Sequence, residues 1–448
     1  MYQIVDQMLN GKKIEEKEHE RLLYETNMEL VREYDIHFDG EEMIPSDPYM
    51  ADRVFDAAIY LMEEVGVYSI DTGRVIELTR EEIINGIRNT KESYNIGEGL
   101  DAKTIVFRDV LDDRTPLILG GPCGAPISIE SYIQIHRSYA KLNVIDALAP
   151  ASIYEIPEST YYKTPLNLHS AHASINYVKE ASALEGRPGM CCSTPPFIED
   201  IRAALSIANP TFTKKGDMHE IYQQLDLKTN FDAITKAIHY RATGTLYICD
   251  QGILLGGRTI VSPEQLAVQI VAEGLKSKLI HNGHMYFKEP DLLQTGAASS
   301  RDTLWASFMA SMAITRNTQY IHGTDISNSA GPCSEMMMYE TATQTIGNVV
   351  CGTDVLAGPI SNAARLIDHS AGLDSLFMAN IAKLATSLSI ADANHLCEGI
   401  YAQYKDKMKK PDMGKSFEEC YYFNTIEPTS EFLQIYDNVI RRVYEILG

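Results

Sequence analysis

"GTLYICDQ" at 244–251, followed by "EQLAVQIVAEGLKS" at 264–277, is the unit on which the fold reading turns. A short apolar run ends in an acid and an amide, and an amphipathic segment comes after it. An apolar run of that length, bounded by polar residues, reads as a strand buried on both faces, and the second segment as a helix that covers it. The pairing recurs along the chain. Further strands are predicted in "TPLILGG" (115–121), "NVIDALA" (143–149), "RPGMCCS" (187–193), "SKLIHNG" (277–283), "TQYIHGTD" (318–325) and "TDVLAGPIS" (353–361). Helix-like material separates them, including "EMMMYETATQTIGNVV" (335–350). An eighth strand is placed in "TKKGDMHEIYQQL" (213–225), between the third and fourth of these runs.

Repeated strand–helix units make a parallel sheet covered by helices. Eight of them suggest a closed TIM (β/α)8 barrel more than an open sheet. No GxGxxG turn follows a strand, which leaves the doubly wound dinucleotide fold as the weaker alternative. The α/β barrel and its closing helices are assigned to 111–448, and 1–110 to a mostly helical N-terminal extension of the same single domain. In that extension "SDPYMADRVFDAAIYLMEEVG" aligns Met50, Val54, Ala57, Leu61 and Val65 on one face. Asp47 can cap this helix, Pro48 fits its first turn and Gly66 stops it. Thr79 and Glu82 have capping-box spacing. The last segment, "SEFLQIYDNVIRRVYEILG", reads as a closing helix with Leu433, Tyr436, Ile440, Val443 and Leu447 inward.

Of 448 residues, 39 are Lys or Arg and 61 are Asp or Glu, a formal net charge of −22. That surface repels nucleic-acid backbones and anionic lipid. The N-terminus lacks the basic-then-apolar pattern of a signal peptide, and no run approaches the roughly 18 apolar residues of a spanning helix. A cytoplasmic protein is expected. The eight cysteines have neither disulfide-framework nor CxxC spacing, so reduced, mostly buried thiols are expected.

A parallel barrel builds its site at the C-terminal strand ends. Those ends carry Cys123, Cys191, Cys192, Ser193, Glu220, Asp250, Gln251, His281, His284 and Asp325. Each has a plain alternative. Glu220 could cap a helix, Asp250 could tie down the next loop, and Asp325 could make a turn. Three carboxylates from three separate strands favour a binding site, because carboxylates in a partly dry mouth are costly unless paired or used. A cation would offset that cost. His281 and His284, with Cys191 or Cys192, could hold zinc, though the spacing is loose and no HExxH accompanies it. Cys191 and Cys192 must face opposite sides of their strand, and no basic residue follows to activate either thiol.

The stretches "ILGGPCGAPIS", "EGRPGM", "HEIYQQLDLK", "SAGPCSEMMMYETATQTI" and "GKSFEECYYFNTIEPTSEFLQIYD" resemble the monomethylamine methyltransferase family nearly end to end. The resemblance implies a cytoplasmic TIM barrel, often oligomeric, that moves a methyl group from methylamine to the cobalt of a separate corrinoid protein. It implies that this chain binds no cofactor or metal of its own, the corrinoid being supplied by the partner. The family's hallmark pyrrolysine follows the RPGM motif, and Ser193 stands at the matching position. Glu220 matches one family glutamate. Asp250 replaces a second, one methylene shorter, and Asp325 falls where the family has a glutamine.

Serine offers no imine to hold a neutral amine. A quaternary ammonium leaves as a neutral amine and needs only to be held by carboxylates and aromatic rings and aimed at cobalt. The expectation is therefore a corrinoid-dependent methyltransferase for a quaternary or N-methylated amine. Ser193, Glu220, Asp250 and Asp325 are expected to be its catalytic residues, with Cys192, Gln251 and His281 against the substrate. The rivals are a zinc-assisted methyltransferase for an alcohol or thiol and a non-catalytic barrel that binds methylamine.

Overall fold

The computed structural model describes residues 1–88, 90–154, 164–194 and 200–448. Eight parallel strands run in chain order: β1 (Leu117–Gly120), β2 (Ala147–Leu148), β3 (Cys191–Cys192), β4 (Met218–Tyr222), β5 (Leu246–Asp250), β6 (Met285–Leu292), β7 (His322–Ser327) and β8 (Val355–Ile360). β1 to β3 and β4 to β8 each pair with the next, and β8 pairs with β1. The ring closes just beyond β3, where Ser193 bridges to Met218 and the Thr194 amide donates to the Met218 carbonyl at 2.9 Å. This is the expected TIM barrel.

Helices α1 (Ile129–Ala140), α2 (Pro165–Leu184), α3 (Ile201–Ile207), α4 (Phe231–Thr243), α5 (Pro263–Leu279), α6 (Arg301–Asn317), α7 (Glu335–Val350) and α8 (Gly372–Ala385) follow the strands in turn. Among the described residues no helix is long and apolar enough to cross a membrane.

Strand alternation sorts the side chains into two cores. Met218, Leu246, Ile248, Met285, Phe287 and Val355 fill the barrel interior. Their neighbours face the helices: Ile221, Tyr247 and Cys249 pack with Ala233, Ala237 and Tyr240 of α4. Lys288, on β6, also points outward, and its Nζ donates to Ser307 Oγ at 2.6 Å and Asn348 Oδ1 at 2.9 Å.

Seven of the eight predicted runs contain or overlap the strand they predicted. "SKLIHNG" does not. Its first three residues end α5, which is buried without a break from Gln265 to Ser277, and the chain then turns through Asn282 at φ 53°. The strand is instead Met285–Leu292, "MYFKEPDL", in which the polar inward residues hide the apolar signal.

The N-terminal segment closes the barrel's lower end. A hairpin, Ser93–Ile96 with Lys103–Val106, inserts Ile96 and Ile105 into the interior cluster. The helix Pro48–Val65 buries all five residues predicted on its inner face, with Asp47 Oδ1 accepting from the Tyr49 amide at 2.9 Å. Thr79 and Glu82 form the expected capping box. In the closing helix Ser430–Leu447 the buried seam is Phe432, Val439 and Val443. Leu433, expected inward, is 44% exposed, because the inner face is rotated by one residue.

Arg108 locks this lower end. Its buried guanidinium donates to the carbonyls of Arg114 (3.0 Å), Asp112 (3.1 Å), Val349 (3.2 Å) and Thr353 (2.6 Å). Its amide donates to Asp354 Oδ1 at 2.6 Å, while Asp354 Oδ2 takes the His322 amide at 2.8 Å. Arg108→Met orphans four carbonyls and removes the cation beside a buried carboxylate. Loss of about 3 kcal/mol is expected, read as a lowered urea midpoint at unchanged m-value.

Candidate active site

At the C-terminal mouth the inward series turns from apolar to acidic. β4 continues from Met218 to Glu220 and Tyr222, and β5 from Leu246 and Ile248 to Asp250. β6 continues from Met285 and Phe287 to Glu289 and Asp291, and β7 from Gly323 to Asp325. These groups surround one cavity of about 160 Å³. Leu119, Ile248 and Phe287 supply its apolar wall, and Ser193, at the closing seam, lines it as well. The strand Gly252–Leu255 pairs with Glu289–Leu292 and raises the wall on that side.

Gly121 is required where β1 gives way to its loop. Its φ is 146°, and a Cβ there would lie 2.1 Å from the Ala149 carbonyl oxygen. The close approach lets Cys123 and Ala149 line the same cavity. The Cys123 thiol is pushed well up by burial and then by the Asp325 charge, so it stays protonated.

Five carboxyl groups thus face one small space. Glu220 Oε1, Asp291 Oδ1 and Asp325 Oδ2 are buried and accept no hydrogen bond from the described residues. Burial, then the neighbouring Asp250, pushes Glu220 well above the carboxylate range. Burial, then Glu289, lifts Asp250 to about 7. Burial, then Asp250, lifts Asp325, and these two carboxyls are placed to share a proton. Glu289 is raised by burial, and Asp291 by burial and then by Glu289. Basic residues act on these groups from outside the cavity lining: Lys236 of α4 on Glu220, Arg365 on Asp291, and Lys288 of β6, which interacts with Asp325. The arrangement can receive a cation, with the rings of Tyr222 and Phe287 available to its apolar parts.

The structure brings together Ser193, Glu220, Asp250 and Asp325. It does not bring Cys192, Gln251 or His281 to them, and those three assignments against the substrate are corrected. Cys192 takes the outward parity of β3 and packs in the helix-side cluster, while Cys191 lies in the interior below the cavity. Gln251 turns away, its Nε2 donating to the Gln224 carbonyl at 3.1 Å. His281 precedes β6 and lies outside the cavity on the helix side of the barrel wall, its ring held between Thr229 Oγ1 (3.0 Å) and Gln223 Oε1 (3.1 Å). Burial pushes it down to about 3.

His284 lies at the lower end of the barrel, edge-on to Tyr247 and Tyr94, so the two histidines and a cysteine do not form a zinc site. Among the described residues no three His, Cys, Asp or Glu side chains are grouped to hold a metal ion. Pro195, Pro196 and Phe197, which end the "RPGMCCSTPPF" stretch, lie outside the described residues. All eight cysteines are free and buried.

Sequence reading missed Tyr222, Phe287, Glu289 and Asp291. The signal was available in the two-residue period Met285–Phe287–Glu289–Asp291, once the strand is placed there.

Fold and mouth together define a TIM barrel with a small, buried, acid-lined cavity at the catalytic end. The chain belongs to the family described as Monomethylamine methyltransferase MtmB, whose profile matches residues 1–447. It is 29% identical over 420 residues to monomethylamine methyltransferase MtmB2 of Methanosarcina acetivorans, covering 94% of this chain and 91% of that one. It is 29% identical over 422 residues to MtmB1 of Methanosarcina barkeri, covering 94% and 92%. The crystal structure of the Methanosarcina barkeri monomethylamine methyltransferase superposes with a TM-score of 0.96 at 27% identity, covering 99% of this chain and 97% of that one. A crystal structure of a hydroxylamine MtmB complex matches with the same TM-score, identity and coverage.

The raised carboxyls link stability to pH. A group whose folded pKa lies above its unfolded value keeps its proton in the native state while the unfolded chain releases it. Stability therefore falls as pH rises from about 4 towards and past the folded value. For Asp250 that window closes near 7, and Glu220 and Asp325, raised by burial and then by Asp250, act in the same direction. The ligand-free protein is expected to lose stability between pH 5 and pH 8, and Asp250→Asn to lose less over the same range. Urea midpoints of both proteins at the two pH values measure this.

Proposed function

We propose that this protein transfers a methyl group from a cationic N-methylated compound, a quaternary ammonium in preference to monomethylamine, to the Co(I) of a corrinoid carried by a partner protein. The observation that carries the reading is a set of three buried carboxyl oxygens, on Glu220, Asp325 and Asp291, left without hydrogen-bond partners around a cavity that Ser193 does not fill. Membership of the methylamine methyltransferase family supplies the reaction class.

The chain's own residues would bind and aim. Glu220, Asp250 and Asp325 ionise as the cation enters, because its charge offsets both their mutual repulsion and their burial. Tyr222 and Phe287 pack on the methyl groups. In the transfer the C–N bond breaks with its electron pair staying on nitrogen, which leaves as a neutral amine. The new carbon–cobalt bond uses the electron pair of Co(I), which becomes Co(III). No residue needs to act as a nucleophile, and Ser193 lines the space where the resemblance places pyrrolysine. We place this reaction in the cytoplasm, with the chain as a homo-oligomer.

The test is spectral detection of methyl-Co(III) from cob(I)alamin or from a corrinoid protein of the same organism, with monomethylamine beside quaternary and N-methylated amines. Signal from a quaternary amine, and not from monomethylamine, is expected. Signal from monomethylamine alone, or from nothing in the panel, would overturn the reading. Glu220→Gln and Asp250→Asn should each lower kcat/KM by about 10- to 100-fold, the range of a lost charged hydrogen bond. Ser193→Leu, which fills the cavity, should abolish binding while the protein stays folded.

A further inference from the structure

Asp291 stands apart from the inner carboxyls. It lies two residues beyond Glu289 on β6, on the same inward parity, so their Cα atoms are roughly 6.5–7 Å apart towards the mouth. Besides burial, Asp291 feels the charge of Glu289, the Ser327 hydroxyl and the charge of Arg365, and none of Glu220, Asp250 and Asp325. Glu289 acts on all four and stands between the two tiers. Its Oδ1 is buried and without a hydrogen-bond partner, and its side chain lines the cavity. Arg365 does not neutralise it by direct contact: that exposed guanidinium donates instead to the Thr295 carbonyl at 2.9 Å. One ammonium held by Glu220, Asp250 and Asp325 therefore leaves an acidic group above it unmatched.

Resting on the function proposed above, we infer that Asp291, with Glu289, forms a second cation subsite, and that the methyl donor is an N-methylated diamine. Its quaternary end sits against Glu220, Asp250 and Asp325. Its second, protonated amine donates to Asp291. A four-carbon spacer has a reach comparable to the step between the two tiers. A zwitterionic donor fits poorly, since its carboxylate would face Asp291.

The experiment is calorimetric titration of the full chain with two probes of equal length. N,N,N-trimethyl-1,4-diaminobutane carries both cations, and pentyltrimethylammonium replaces the second amine with a methyl group. The wild-type protein is expected to bind the diamine at least about tenfold more tightly, as a charged hydrogen bond would give. In Asp291→Asn that ratio should fall to within about twofold. Glu289→Gln, which keeps the shape of the wall, should lower the ratio in the same direction.

Equal affinities in the wild-type protein, or a preference for the diamine that survives Asp291→Asn, would overturn the second subsite. Binding of pentyltrimethylammonium in those cases would leave the quaternary-amine reading standing. Failure of both probes and of tetramethylammonium to bind would overturn the two readings together.

Discussion

Five carboxyl groups cannot all be charged around a cavity of about 160 Å³ unless a cation joins them. That constraint organises the catalytic end of this barrel. Where no cation is present burial and mutual repulsion raise the proton affinity of all five, and Asp250 and Asp325 are placed to share a proton. The energy of holding them there is carried by the packed interior below and the helix layer outside. On the function proposed above, a cationic ligand would relieve that repulsion, a source of affinity that a site of neutral groups lacks.

The barrel meets this constraint through parity. Along β4, β5 and β6 the same inward face that carries Met218, Leu246 and Met285 at the base carries Glu220, Asp250 and Glu289 at the mouth. Closure at Ser193 and Met218 fixes the register on which that sorting depends. A slip of one residue on β4 would send His219 inward and Glu220 into the helices. Arg108 and the Ser93–Val106 hairpin hold the opposite end, far from any ligand, and keep the ring from opening there.

What could be read from the sequence follows the same division. Asp250 was legible because four consecutive apolar residues lead directly into it, so strand and strand end coincide. Glu220 was found because "MHEIY" had to supply a strand between two others. Glu289 and Asp291 were not legible, since "KEPD" reads as a polar turn until the neighbouring strands show that Lys288 faces the helices. His281 was misplaced by the reverse error, a helix end and turn taken for a strand end. The parity argument for Cys191 and Cys192 was sound, but it could not say which of the two faced inward. That choice depends on the closure of the ring, a tertiary fact.

Ser193 is where fold and chemistry meet. Its backbone must join β2 and β4, with its amide donating to the Leu148 carbonyl at 2.8 Å, and this holds for any residue placed there. The side chain alone is open to change, and its direction into the cavity is set by the strand. A long side chain at this point would occupy the cavity and reach the acids. A short one gives the whole volume to the substrate and leaves recognition to the walls. On the function proposed above the acidic walls hold the cationic nitrogen. Because methylamine is itself a cation near neutral pH, a quaternary donor is distinguished by the room a short side chain leaves for its extra methyl groups. On that reading, substitution at this one inward position would change which donor fits the cavity while leaving the backbone frame around it in place.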